Sequence, residues 1–184
     1  MVPRPIAWVS TISEDGVENL APHSYYTVAS VTPAIVQFTS VGHKDSLRNA
    51  VETGEFVVNF ANRANFEQVN ATGTMFAPEI DEFEAVGLER ESSKTVRPSR
   101  VADSPVVIEC STEGTKDFGG DSVVVFGRVK LVAIDEAVLT DGRPDIHKLA
   151  PLARLGGPTD WSEIGEILRI SRIDPDDWPG HYGD

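Results

Sequence analysis

Branched and aromatic residues concentrate first in residues 6–12 (IAWVSTI), and the Ser13-Glu14-Asp15-Gly16 step that follows is a good turn. The strand-like pattern resumes over residues 18–30, so the two segments predict a hairpin. Residues 34–39 (AIVQFT) predict a third strand. Helical spacing then takes over. With Asp45 as its cap, a short helix over residues 46–53 would put Leu47, Ala50 and Val51 on one face and stop at Gly54. Residues 55–60 (EFVVNF) predict another strand. The middle is less regular, with a helical turn expected over residues 64–71 and a short helix over residues 79–87 ending at glycine. Residues 90–104 have the polarity and prolines of a surface excursion. Strands follow over residues 106–111 and 122–134, the second with Gly127 where a bend or bulge is expected. Residues 145–154 look helical and residues 166–173 look like a last strand.

Many strands, few helices and no regular βαβ alternation predict a mainly β fold, a barrel or a sandwich, not a doubly wound sheet. Neither G-x-G-x-x-G nor a Walker lysine motif occurs, so a nucleotide would not be held by a glycine-rich turn. At 184 residues the chain is most simply one domain, residues 1–173, followed by a loose acidic tail over residues 174–184.

The net charge of −13 leaves no electrostatic footprint for nucleic acid or an anionic membrane. It would also repel an anionic substrate slightly unless local positive charge compensates. Cys110 is the only cysteine, which excludes an internal disulfide and a cysteine-based metal cluster. The four histidines lack any short ligand spacing, so no metal is expected. No apolar run approaches the roughly 20 residues of a membrane helix, and a cytoplasmic location is the expectation.

Three segments carry candidate chemistry. At His43-Lys44-Asp45-Ser46 a helix begins, and its free N–H groups favour an anion. Lys44 adds charge, Ser46 a hydroxyl, and Arg48 lies within the first turn; phosphate is the natural guest, and a solvated capped helix is the plain alternative. In residues 19–26 (NLAPHSYY), Pro22 interrupts the strand and predicts a bulge or an edge. Backbone groups freed there, with Asn19, His23 and Ser24, could meet the edge of a heterocycle, and Tyr25 or Tyr26 could pack near its rings; an ordinary edge strand with core tyrosines fits as well. His23 and Ser24 do not make a nucleophile–base pair, because strand neighbours point to opposite faces. The third segment is Arg154-Leu155-Gly156-Gly157, either a helix stop or a flexible turn that brings Arg154 or Trp161 to a ligand.

Taken in order, PRPIAWVST, NLAPHSYY, KDSLRN, TGEFVVN, DEFEAVGL, SPVVIEC and ARLGG resemble the flavin reductase-like FMN-binding split-barrel family. That group includes flavoredoxins and the reductase components of two-component monooxygenases. The resemblance implies a split β-barrel with a few short helices, a homodimer, and FMN, in preference to FAD, near the subunit interface. Carried over by position, Asn19, Leu20, Ala21, Pro22, His23, Ser24 and Tyr25 would line the flavin ring, and Thr11 would touch the ring or the ribityl chain. Ser40, Lys44, Asp45 and Ser46, with Arg48, would hold the phosphate, and Arg154 would belong to the same pocket. Flavin chemistry needs no acid–base pair from the protein, and none stands out. The implied activity is an NAD(P)H-dependent flavin reductase using NADH or NADPH; the alternatives are a flavoredoxin-like electron carrier and an interaction domain without flavin. A monooxygenase or other redox protein would be the partner. Two features depart from the family pattern: the start at Met1-Val2-Pro3, and Pro158–Trp161 where a tyrosine commonly follows the glycine pair.

Overall fold

The computed structural model describes residues 1–178 and 180. Its opening strands are β1 (Arg4–Pro5), β2 (Ala7–Ile12), β3 (Glu18–His23), β4 (Tyr26–Ser30) and β5 (Ile35–Val41), followed by helix α1 (Asp45–Glu52) and β6 (Glu55–Phe60). Helices α2 (Phe66–Ala71) and α3 (Glu82–Ala85) come next, then the short pair β7 (Arg90–Glu91) and β8 (Arg100–Val101). Two long strands, β9 (Val106–Asp117) and β10 (Ser122–Ile134), lead to the pair β11 (Leu139–Thr140) and β12 (Arg143–Pro144), helix α4 (Ile146–Leu149), β13 (Ala153–Arg154) and β14 (Trp161–Ser162).

Seven strands pair in the order β3-β2-β6-β9-β10-β5-β4, all antiparallel. The sheet curls until its two ends meet: His23, at the close of β3, lies with its ring 4.7 Å from that of Phe38 in β5. No ladder joins β3 to β4, so the barrel is split there. Odd positions of β2 (Ala7, Val9) enter the barrel with Phe38, Phe56, Val58, Cys110 and Val125. Even position Trp8 faces outward into a second cluster with Leu20, Val69, Phe83 and Leu152, under α2 and α3. Both faces of β2 are therefore buried, which explains its nearly continuous apolar run. The Trp8 indole N–H donates to Thr72 Oγ1 at 2.8 Å, so the largest outward side chain keeps its polar atom satisfied.

Gly127 is the predicted bulge: the β9–β10 register shifts between Phe126 and Gly127. A methyl group there would meet the Phe56 ring, with Cε1 only 2.6 Å away, so glycine is what lets Phe56 fill the barrel.

Several expectations are corrected. Asp45 is the first helical residue and not the cap; Lys44 holds that position with extended backbone, and the Asp45 carboxylate pairs with Arg48 Nη2 at 2.7 Å. Leu47 and Ala50 are buried, but Val51 is exposed, because the buried stripe of α1 runs through Ser46, Leu47, Asn49 and Ala50 and Val51 lies on the far side of Leu47 from it. The segment between β7 and β9 is not a free excursion. Fully buried Glu109 accepts the Lys94 and Thr95 N–H groups (2.8 and 2.6 Å) and the Thr95 hydroxyl (2.6 Å), and Glu18 accepts from Ser99 Oγ (2.6 Å). Burial would raise the Glu109 carboxyl, but those hydrogen bonds and Arg100 outweigh it and hold it below the usual range. The expected helix over residues 145–154 is reduced to α4, which ends at Ala150 in the left-handed conformation before Pro151. Residues 166–173 pair with nothing and form no strand. In the expected tail, a single 3-10 turn spans Pro175–Asp177, and residues 179 and 181–184 lie outside the described ones. No described helix is long and apolar enough to cross a membrane.

Candidate functional site

β3 is an edge strand, and its outward N–H groups have no ladder partner. At Leu20 the vacancy is filled by the buried Glu82 carboxylate, whose Oε2 accepts the N–H at 3.0 Å. Two residues on, the outward position is Pro22, which has no N–H to satisfy. The chain then bends at Ser24 and Tyr25, and the Tyr25 carbonyl accepts the Thr39 N–H at 2.8 Å. The mid-strand edge beside the cleft thus exposes no free donor, because Glu82 accepts the Leu20 N–H and Pro22 has none.

The second wall comes from the turn between β5 and α1. Gly42 adopts a positive φ of 86°, which favours glycine, and its N–H donates to the Asp121 carbonyl at 2.6 Å. The Ser40 hydroxyl donates to the Gly42 carbonyl at 2.8 Å and fixes the turn from below. Lys44 makes no side-chain cap, and the first intrahelical bond runs from the Arg48 N–H to the Lys44 carbonyl at 3.0 Å. The amides of Asp45, Ser46 and Leu47 thus form the orphan donors of the first turn. Lys44 and Arg48 are exposed beside them.

These walls enclose a cleft of 440 Å³, within the range of cofactor sites. Beneath it lies a buried polar floor. The Asn19 amide donates to Thr11 Oγ1 and to Ser46 Oγ, each at 3.1 Å, and the Asn49 amide donates to Thr11 Oγ1 at 3.2 Å. His23 is buried; its ring bonds the Thr39 backbone, but Nε2 has no partner, and neither has Asn49 Oδ1. Burial, aided by Lys44, lowers the imidazole to about 4, so His23 is neutral at pH 7 with one ring nitrogen free. Burial raises the Glu82 carboxyl, with the Leu20 hydrogen bond opposing. Cys110, pushed up to about 12 by burial and neighbouring Glu109, is an inert thiol inside the barrel.

Of the residues expected from sequence, Asn19, Ala21, Pro22, His23, Ser24 and Tyr25 line one side of this cleft, and Lys44, Asp45, Ser46 and Arg48 line the other. Four lie elsewhere. Thr11 sits under the floor, Leu20 points into the Trp8 cluster, Ser40 is buried below the turn, and Arg154 lines an adjoining cleft. The third wall, with Thr72 to Phe76 and Pro78, was not anticipated, nor was Glu82. A signal existed in Met75 and Phe76, apolar residues inside a glycine-containing segment with no strand or helix period; Met75 is 89% exposed at the cleft.

Residues 1–150 match the family model described as flavin reductase like domain. An uncharacterized protein of Aquifex aeolicus is 36% identical over 172 residues, covering 90% of this chain and 87% of that protein. Among solved structures, nitrilotriacetate monooxygenase component B from Bacillus cereus aligns with a TM-score of 0.88 at 28% identity, over 92% of this chain and 88% of that one. The 2-nitrobenzoate 2-nitroreductase of Pseudomonas fluorescens aligns at 0.87 and 30% identity, over 98% and 89%.

Proposed function

The chain belongs to the flavin reductase-like family and is a flavin-related oxidoreductase, and from that premise we propose that it binds FMN in the 440 Å³ cleft and reduces it with NADH or NADPH. One observation carries this reading: the uncapped start of α1, flanked by Lys44 and Arg48, opens onto the same cleft as the edge strand bearing Asn19 to Tyr25. A phosphate suits the first and a flat ring with polar edges suits the second.

The residues present fit the group. A phosphate would meet the amides of the first turn, the Lys44 ammonium and the Ser46 hydroxyl, while the Arg48–Asp45 pair offsets the one carboxylate at that helix start. His23 keeps one buried ring nitrogen, Nε2, without a partner beneath the cleft, a polar atom left for the site to satisfy. Backbone groups around Pro22 to Tyr25 would face the ring, held in place from behind by Glu82 through Leu20. Thr11 and Ser40 act from beneath, one orienting Asn19 and the other the Gly42 turn. Bound flavin supplies the hydride and electron chemistry. The protein's part is to orient, to exclude water and to present neutral His23 and no competing thiol.

The whole of residues 1–173 would act as one unit, with residues 174–184 as an acidic tail. Exposed Tyr25 just before β4, Val28 within it and Val31 in the turn after it support a second copy of the chain as partner. The component B relative supports a monooxygenase as recipient of the reduced flavin.

The test is a visible spectrum. Purified protein supplied with FMN should show bound-flavin bands that bleach anaerobically with NADH or NADPH. Protein that never acquires those bands ends the proposal. Bands that neither nucleotide bleaches would remove the reductase step and leave a flavoredoxin-like carrier.

A further inference from the structure

A second cleft, of 290 Å³, adjoins the first across a wall made by Pro22, Ser24 and Gly73, which line both. Its far side carries Arg154, Pro158 and Trp161. The Arg154 guanidinium lies 4.6 Å from the Trp161 ring centroid and donates through Nη2 to the Pro158 carbonyl at 2.7 Å. Phe66 braces Trp161 edge-on at 5.2 Å. The cationic and aromatic surfaces of this cleft are therefore held in place before any ligand arrives.

The pairing of the small sheet adds a second observation. Arg4 of β1 stands directly opposite Arg154 of β13, and Trp161 of β14 stands opposite Arg154 on the other side. Opposed residues project from the same face, and like charges placed so are destabilising. With 29 acidic residues against 16 basic ones, a neutralising carboxylate would be easy to place. Yet none of the ion pairs among the described residues involves Arg4 or Arg154. Arg4 instead donates through Nε to Ser24 Oγ and through Nη2 to the Leu155 carbonyl, both at 3.2 Å, which brings it to the shared wall. The Arg4 guanidinium also lies 5.3 Å from the Tyr25 ring centroid, so the partners of both arginines are neutral oxygens and aromatic rings, and two facing cations beside an indole favour a planar anion.

We propose that this cleft is a second ligand site for a planar ring bearing an anionic group, phosphate or carboxylate. The ring lies along Trp161, Pro158 and Pro22, and the anion meets Arg154 and Arg4. The adenosine phosphate end of NADH or NADPH and an aromatic carboxylate acceptor share that chemistry. The role of the site in turnover rests on the flavin reading, since the shared wall is what sets its ligand beside the first cleft.

Calorimetric titration of the purified protein, with and without FMN, against adenosine 2′,5′-bisphosphate and against benzoate tests this. One probe should saturate, and the arm that does so identifies the source. Arg154→Ala and Arg4→Ala should each weaken that probe by about tenfold or more, and Arg154→Lys by less, because it keeps the charge and loses the planar fork. FMN uptake on the same samples should shift by less than about twofold, which also reports an intact barrel. Neither probe saturating the wild-type protein overturns the proposal, as does probe affinity indifferent to both arginine variants. Loss of FMN in place of the probe in Arg154→Ala assigns the arginine to the flavin cleft and also overturns it. Arginine-dependent probe binding by protein that takes up no FMN would support this site while removing the flavin reading.

Discussion

Gly127→Ala probes how the barrel interior supports the cleft, and two effects of opposite sign compete there. Replacing glycine stiffens the unfolded chain, which on its own stabilises by about 0.4–1 kcal/mol. The added methyl, however, would stand 2.6 Å from Phe56 Cε1 and 3.0 Å from Cys110 Cβ. Neither neighbour can yield freely, because both are fully buried and Phe56 is wedged edge-on against Phe38 at 5.2 Å. Overpacking a filled core costs about 1–3 kcal/mol, so the net expectation is a loss of about 1–2 kcal/mol. For a chain of this size that corresponds to a fall in Tm of roughly 2–8 °C. Phe38 in turn touches His23 at 4.7 Å, so the displacement propagates to the cleft floor and FMN affinity should fall with stability. Thermal unfolding by circular dichroism reads the first effect and flavin titration the second. Phe56→Leu makes room for the methyl, so Gly127→Ala should be nearly neutral in that background. A Tm that rises in the single variant, or an equal cost in both backgrounds, would refute the steric argument.

Two further outcomes follow from the site. Lys44→Ala with Ser46→Ala should weaken FMN binding by about 1–3 kcal/mol, the scale of lost charge-assisted hydrogen bonds; unchanged affinity would remove the phosphate from the start of α1. His23 is held neutral by burial, with its folded value near 4, below the usual 6.5. As pH falls from 6.5 toward 4 the unfolded chain therefore takes up a proton that the folded one refuses, and stability present at pH 7 is lost, by about 2–3 kcal/mol at pH 4.5. Urea unfolding of His23→Phe at pH 7 and 4.5 should lack that loss, and an equal loss in both proteins would contradict the neutral assignment.

The parts of the fold legible in the sequence are those set by near neighbours. The Ser13–Gly16 turn fixes the β2–β3 hairpin, and Gly127 marks the bulge that Phe56 requires. The two principal walls of the cleft were legible because each announces itself locally, one by Pro22 in a strand and the other by a helix start. What stayed hidden depends on distant pairing. Arg154 was expected in the same pocket as the other site residues, but β13 pairs with β1, and it lines the adjoining cleft against Trp161. The wall over residues 72–78 has no period to read. The pinning of residues 94–99 by Glu18 and Glu109 also required knowing that those carboxylates are buried. Thr11 and Ser40, expected to touch ligand, lie buried beneath the cleft, Thr11 bonded to Asn19 and Ser40 to the Gly42 carbonyl.

Charge raises a final question, because the proposed function would have a protein of net charge −13 hold anionic nucleotides. Six arginines (48, 63, 90, 97, 100 and 128) are paired with carboxylates. Lys44 at the first cleft, and Arg4 and Arg154 at the second, are in none of the ion pairs among the described residues. At physiological salt the Debye length is about 8 Å, so carboxylates farther than that from a bound phosphate are largely screened. The unpaired cations and the first-turn amides act within that distance, where the low dielectric of a partly enclosed cleft strengthens them. The acidic surface thus slows the approach of an anion more than it weakens its binding, and affinity is decided by the few cations left uncompensated at the two clefts.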